Sequence, residues 1–262
     1  MAEHSHADER VDVSGPTTLD GVDAESFAAS GHTTVTGDVY ADRVDVSGAT
    51  EIDGDLLAST VDASGSTDIE GETTAESVEV SGSTTIECDL TAVTVDASGA
   101  LSVGGHAGIE DLDASGVTNL ESLAAETVDV SGDTTIDEAT VEEIRASGAI
   151  DIRNLDAGTV FVGLGSGEAS IGHLDAQTVT VERTDGAGGI LGVFIGRDEG
   201  RLTVESLVAE DVAIEDTTVA DLTAETATIG PGCHVERLRA TEWEIDDDAT
   251  VEHTERVDGQ PA

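Results

Sequence analysis

The stretch Val44–Val61, VDVSGATEIDGDLLASTV, decides the fold. Its apolar and threonine residues take alternate places, as in Val44-Asp45-Val46 and Thr50-Glu51-Ile52. That is the period of a half-buried strand. Val, Ile and Thr suit a pleated surface, and Gly, Ser and Asp punctuate the corners between short runs. The stretch then repeats. Ser-Gly pairs begin at Ser14, Ser30, Ser47, Ser64, Ser81, Ser98, Ser115, Ser131 and Ser147, at spacings of 16 or 17 residues. Three places before each serine stands an apolar residue, from Val11 and Phe27 to Ile144. Five places after it stands another, from Leu19 and Val35 to Ile152.

A repeat this short cannot hold two helices and two turns, and its β-branched content argues against helix. A meander of antiparallel strands would not demand the same residue at the same offset in every repeat. A coil does, because each residue lies directly under its equivalent in the next turn. The repeat therefore predicts an all-β parallel β-helix, one rung per repeat. Each strand is expected to last three to five residues, with small apolar residues inside and Asp and Glu in outward ladders. Beyond Ser147 the Ser-Gly signal fades. The segments Leu174–Val181, Leu207–Ile214, Leu222–Ile229 and Leu238–Ile245 still share one template. Roughly 13 rungs at about 4.8 Å each would make a rod on the order of 60 Å long.

The domain expectation follows. Residues 1–10 and 254–262 read as disordered acidic tails. Residues 11–253 read as one β-helix domain, with regular rungs over 11–182 and final rungs over 201–253. Between them, 184–200 reads as an insertion that no rung needs. It carries the apolar cluster Ile190, Leu191, Val193, Phe194 and Ile195, a candidate contact loop for a partner or a membrane face.

Charge narrows the function. The 262 residues hold 57 acidic and 10 basic side chains, a formal net charge of −47, and every basic residue is arginine. Phosphate binding needs a basic face, so nucleic acid is excluded as a partner. No apolar run approaches the roughly 18 residues of a transmembrane helix, and MAEHSHADER does not read as a secretory leader. Peripheral membrane contact through the insertion stays open. Such a charge opposes folding in dilute buffer, but at about 1 M salt the Debye length is only ~3 Å. An acidic chain without lysine is expected in a halophile's high-salt cytoplasm.

Chemistry is sparse. His4, His6, His32, His106, His173, His234 and His253 are scattered, and a catalytic triad would need convergence with a nucleophile and an acid. Cys88 and Cys233 are too few for a disulfide framework. Cys233-His234 has no second pair to complete a zinc site. Asp246-Asp247-Asp248 reads as a solvated turn. No phosphate-binding glycine loop is present. No catalytic residue, cofactor or metal site is expected. Two enzyme alternatives fit poorly. Left-handed acyltransferase coils use hexapeptides, which Ile171-Gly172 and Ile229-Gly230 imitate only locally, and polysaccharide-cleaving coils need long groove-building loops.

What remains is a coil whose edge strands are templates for another chain. Val11, Val13 and Leu19 at one end, with Trp243, Ile245 and Val251 at the other, are candidate self-association residues. The alternative is a monomeric binding or spacer rod. The recurring VDVSGxTTIxGDLxAxxV pattern resembles the bactofilins, polymer-forming cytoskeletal proteins. It is clearest at Val44–Val61 and Val78–Val95, and Thr228–Ala240 (TIGPGCHVERLRA) resembles that family's closing segment. With the acidic composition, the chain is similar to the haloarchaeal bactofilin-like halofilins. The resemblance implies a right-handed β-helix and nucleotide-independent, end-to-end homopolymers. It also implies roles in cell shape or in localising other cytoskeletal or envelope proteins, near the membrane.

Overall fold

In the core columns of the described residues, apolar side chains stack mostly on their own kind. In a computed structural model, residues 10–165, 167–183 and 200–257 are described. They form parallel strands stacked as a β-solenoid of about 14 turns, with no helix among them, consistent with the expected right-handed parallel β-helix of roughly 13 rungs. The chain divides into two compact units, residues 1–126 and 127–262.

In the first unit the turns as far as β11 are one short and one long strand. The series begins β1 (Arg10–Val13), β2 (Thr17–Leu19), β3 (Val22–Ala29), β4 (His32–Val35) and β5 (Val39–Val46). It continues β6 (Ala49–Ile52), β7 (Leu56–Ala63), β8 (Ser66–Ile69), β9 (Thr73–Val80), β10 (Ser83–Ile86) and β11 (Leu90–Ala97). Then come β12 (Ala100–Ala114) and β13 (Val117–Val130). Pairing is in register at the repeat length. Val44 lies under Val61, Val61 under Val78, and Val78 under Val95. Ile52, Ile69, Ile86 and Val103 make a second column. All are buried. Thr33, Thr50, Thr67 and Thr84 form a third inward column, also buried.

In the second unit single strands run round the corners. They are β14 (Asp133–Ser147), β15 (Ala149–Leu164), β16 (Glu168–Arg183) and β17 (Arg201–Ile214). The last are β18 (Thr217–Ile229), β19 (His234–Ile245) and β20 (Thr250–Arg256). The expected strands of three to five residues are therefore too short. The Asp-Gly corners of the first unit give way to residues that bend while staying extended, so pairing continues without a break. Leu155, Leu174, Leu207, Leu222 and Leu238 stack in one column, and Ala157, Ala176, Ala209, Ala224 and Ala240 in the next.

The insertion leaves the coil intact. Glu168 pairs with Arg201 and Val181 with Ile214, so the turn resumes in register. Ile190, Leu191, Val193, Phe194 and Ile195 lie outside the described residues. At the foot of the insertion Arg183 pairs with Asp216, whose carboxylate is mostly buried and whose φ is +45°. The Asp216 amide donates to Pro231 O at 3.0 Å. A Cβ on Gly232 would lie 2.2 Å from Asp216 Oδ1. The Gly230-Pro231-Gly232 turn is thus fitted to the Asp216 carboxylate, whose Arg183 partner is half-exposed.

Both tail boundaries shift. The C-terminal tail was expected from residue 254, but β20 runs to Arg256, and the Val257 amide still donates to Ala240 O. Backbone pairing with β19 holds Thr254, Glu255 and Arg256, although their side chains do not fit the apolar template. At the other end Arg10, assigned to the N-terminal tail, opens β1 and pairs with Ser26.

Candidate functional site

The six residues singled out as self-association candidates all lie on the first or last described turns. Val11 and Val13 stand on β1, in the columns of Phe27 and Ala29. Leu19 stands on β2, in the column of Val35. Phe27, Ala29 and Val35 are at most 1% exposed, whereas Val11 and Leu19 are half-buried. Val13 lies at the margin of burial. Among the described residues β1 pairs only with β3, and β2 only with β4, so each presents a one-sided edge.

The last turns repeat this. Trp243 continues the column of Ala227, Ile245 that of Ile229, and Val251 that of Val235. The inner members are fully buried and the terminal three half-buried. Strand β20 pairs only with β19 among the described residues. The three candidates at each end belong to columns that the repeat brings side by side.

Sequence reasoning missed how this end finishes. Thr254 falls beneath Leu238 and Arg256 beneath Ala240, so two core columns close on polar residues. The Arg256 guanidinium lies 5.3 Å from the Trp243 ring centroid, a cation–π contact. The signal was there: after Val251 the spacing of the template still predicts core positions at 254 and 256. The residue types there hid it.

The groups weighed for chemistry do not converge. His32 and His106 are on outward columns, and His106 Nδ1 is 3.0 Å from Ser122 Oγ. His173 and His253 share one outward column, separated by Ser206, Asp221 and Arg237. His234 Nε2 is 3.5 Å from Glu252. His4 and His6 lie outside the described residues. Cys88 is exposed and Cys233 buried, both as free thiols. The Cys233 thiol donates to Ile214 O at 3.3 Å, and burial pushes its pKa up. Asp246-Asp247-Asp248 forms a turn closed by the Asp248 amide donating to Asp246 Oδ1 at 2.9 Å.

Two acidic features were not foreseen. Carboxylates at the Asp-Gly corners of the first unit bind backbone. Asp38 Oδ1 accepts from the Asp55 amide at 3.0 Å, Asp55 Oδ1 from Glu72 at 2.9 Å, and Asp89 Oδ1 from His106 at 2.7 Å. Glu51, Asp53 and Glu70 place carboxylate oxygens within 4.8 Å of one another, all exposed. Two hollows among the described residues are shallow. One of about 380 Å³ is lined by Asn154, His173, Asp175 and Ser206, and one of about 560 Å³ by Arg237, Arg239 and His253. Arg237 is held by Asp221, whose carboxyl it keeps below the ordinary carboxylate range.

No helix is long and apolar enough to cross a membrane among the described residues. Compared with known proteins, the chain matches no family model, no curated protein and no solved structure. Functional argument therefore rests on the residues themselves.

Proposed function

We propose that this chain is a bactofilin-like cytoskeletal scaffold that self-assembles through its terminal turns into nucleotide-independent filaments, without catalytic activity. The observation that supports it is the pair of terminal edges. Each ends an otherwise buried core on half-exposed apolar side chains, and each edge strand is paired on one side. An edge strand with unmet hydrogen bonds and apolar inward residues is completed by another such edge. A closed contact of like ends gives non-polar assemblies, and a contact of unlike ends gives an open fibre. The acidic, lysine-free composition supports assembly in a high-salt cytoplasm, where filaments would support cell shape or localise partners near the membrane.

One observation favours a second reading. Thr254 and Arg256 give the last turn a partly polar finish over Trp243. That suits a monomeric spacer or binding rod closed at this end. Negative-stain electron microscopy and sedimentation, without nucleotide and at about 2 M KCl so that surface charge is screened, separate the two. Filaments a few nanometres wide are expected. Particles that stay at monomer mass over all concentrations would reject the scaffold reading.

A further inference from the structure

The first described turn places its column residues at Val11, Val13, Leu19, Val22 and Ala24, in steps of 2, 6, 3 and 2 residues. The last places them at Trp243, Ile245, Val251, Thr254 and Arg256, in the same four steps. The turn that follows the first is different. Phe27, Ala29, Val35, Val39 and Ala41 step by 2, 6, 4 and 2. The turns that begin at Val44, Val61, Val78 and Val95 keep the longer third step. The added residue lies at one corner, where Thr36-Gly37-Asp38 stands in place of Asp20-Gly21. The short corner of the first turn is therefore not set by its neighbour in the chain. It has the length found at the other end, where Val235, Leu238 and Ala240 also step by 3 and 2.

We infer that the first turn is cut to stack on the last turn of a second copy, so that self-association joins unlike ends in one register and gives a polar fibre. The inference rests on the scaffold reading proposed above and adds its direction. Continuing each column across the contact sets Val11 on Trp243, Val13 on Ile245 and Leu19 on Val251. These are the apolar side chains that the two edges leave half-buried or at the margin of burial. Val22 and Ala24 fall on Thr254 and Arg256. Both are already buried, so they fix the register and add little apolar area. A contact of like ends reverses the order of the steps. It would set 2, 6, 3, 2 against 2, 3, 6, 2, and both corners would miss by three residues. Unlike ends agree at every step, and parallel pairing continues from one copy into the next.

Charge sets the condition for this contact and not its direction. In the same register Arg10 falls beside Glu242, but Asp12 falls beside Glu244 and Asp23 beside Glu255. Carboxylates stacked in this way already run through the chain, as Asp62 on Glu79 and Glu79 on Asp96. At about 1 M salt the Debye length is ~3 Å, shorter than the ~4.8 Å between neighbouring strands. The contact therefore tolerates its like charges under the conditions in which the ladders themselves are screened, and needs molar salt to form.

Disulfide trapping tests it, in a Cys88→Ser background that removes the exposed native thiol. Thr18 and Thr250 are exposed and flank Leu19 and Val251, so the register makes them neighbours across the contact. Adjacent strands at ~4.8 Å are within reach of a disulfide. In molar KCl, Thr18→Cys mixed with Thr250→Cys is expected to give a covalent dimer of the two unlike chains, and neither variant alone is expected to give one. Asp12→Cys mixed with Glu244→Cys, a second exposed pair in the same register, repeats the test on another side of the coil. Circular dichroism checks that each variant is folded. Covalent dimers from Thr18→Cys alone or Thr250→Cys alone would mean that like ends meet and would overturn the inference. Folded protein that gives no cross-link in either mixture would overturn it too. Sedimentation of the Cys88→Ser parent in molar KCl separates this failure from that of the scaffold reading. Polymers without the unlike cross-links reject the direction and leave the scaffold standing, whereas a parent that stays monomeric rejects both.

Discussion

Seven threonines sit where the columns would take valine. Thr33, Thr50, Thr67 and Thr84 stack through β4, β6, β8 and β10, and Thr73, Thr118 and Thr134 share their condition: each Oγ1 is buried without a hydrogen-bond partner. Burying such a hydroxyl unsatisfied costs about 1–3 kcal/mol. The methyl group packs as valine's would, so Thr67→Val keeps the shape and removes the cost. It is expected to raise unfolding stability by ~1 kcal/mol, read from denaturant midpoints in molar KCl. A loss of stability would mean that the hydroxyl binds something. The two thiols give a second test at this scale. Cys88 is exposed and Cys233 buried, so native protein should be alkylated at Cys88 alone and unfolded protein at both. Burial raises the folded pKa of Cys233 above its ordinary 9.0. The unfolded thiol thus ionises first, and its contribution to stability is full below pH 9.0 and falls as pH rises beyond it.

At the scale of the element, the Ser-Gly corners show what the sequence could and could not reveal. The repeat located the Ser-Gly corners and the apolar columns three places before and five places after each serine, because like residues stack only if the turn length is constant. Glycine there suggests a turn with positive φ. Only Gly15 and Gly148 among these corner glycines have it. The others are needed for space: a Cβ on Gly48 would lie 2.0 Å from Gly31 O, and one on Gly65 would lie 1.9 Å from Gly48 O. Close approach of successive turns is a property of the stack, which a single repeat does not display. Gly65→Ala is accordingly expected to cost several kcal/mol, at the far end of single-substitution effects, because backbone rather than a side chain must move. An unchanged melting temperature would show that the corner is looser than these distances. Strand β20 was hidden for a related reason. Thr254 and Arg256 occupy core register without core chemistry, so a reading based on apolar spacing stopped at Val251. The terminal site was legible in the template, and the closing of that site by Arg256 over Trp243 was not.

For the whole molecule the deciding quantity is charge. Carboxylates in one outward ladder lie about 4.8 Å apart, the spacing of neighbouring strands. At 10 mM salt the Debye length is about 30 Å, so each ladder and its neighbours repel together, whereas at 1 M it is about 3 Å. The described cations cannot offset this. Arg10 pairs with Asp12 and Arg153 with Asp137, but these pairs are exposed and contribute little. Folding is therefore expected to be lost on dilution of salt and regained on its return, followed by the strand signal in circular dichroism. Full structure at 10 mM salt, or loss of it only with a specific ion, would reject screening as the cause.

Screening also sets the conditions under which the ends can be tested, since at low salt no assembly of so acidic a chain would form whatever its edges do. Leu19 and Ile245 stand half-exposed at the two ends of columns whose inner members, Val35 and Ile229, are fully buried. A carboxylate at either position is solvated in the monomer but would be trapped against apolar side chains in an end contact, at a cost of several kcal/mol. Leu19→Glu and Ile245→Glu should therefore abolish sedimenting polymers in molar KCl while leaving the circular dichroism spectrum unchanged. Their mixture tells the two contact geometries apart. If unlike ends meet, each variant keeps one competent end, and an equimolar mixture forms dimers through the pair of intact ends and stops there. If like ends meet, each variant alone already forms dimers through its unaltered end, and mixing adds nothing. Arg256→Ala refines the same test. Removing the guanidinium uncovers Trp243 and should lengthen polymers if that end takes part. Polymers unaffected by all three substitutions would move the assembly contact away from the terminal turns.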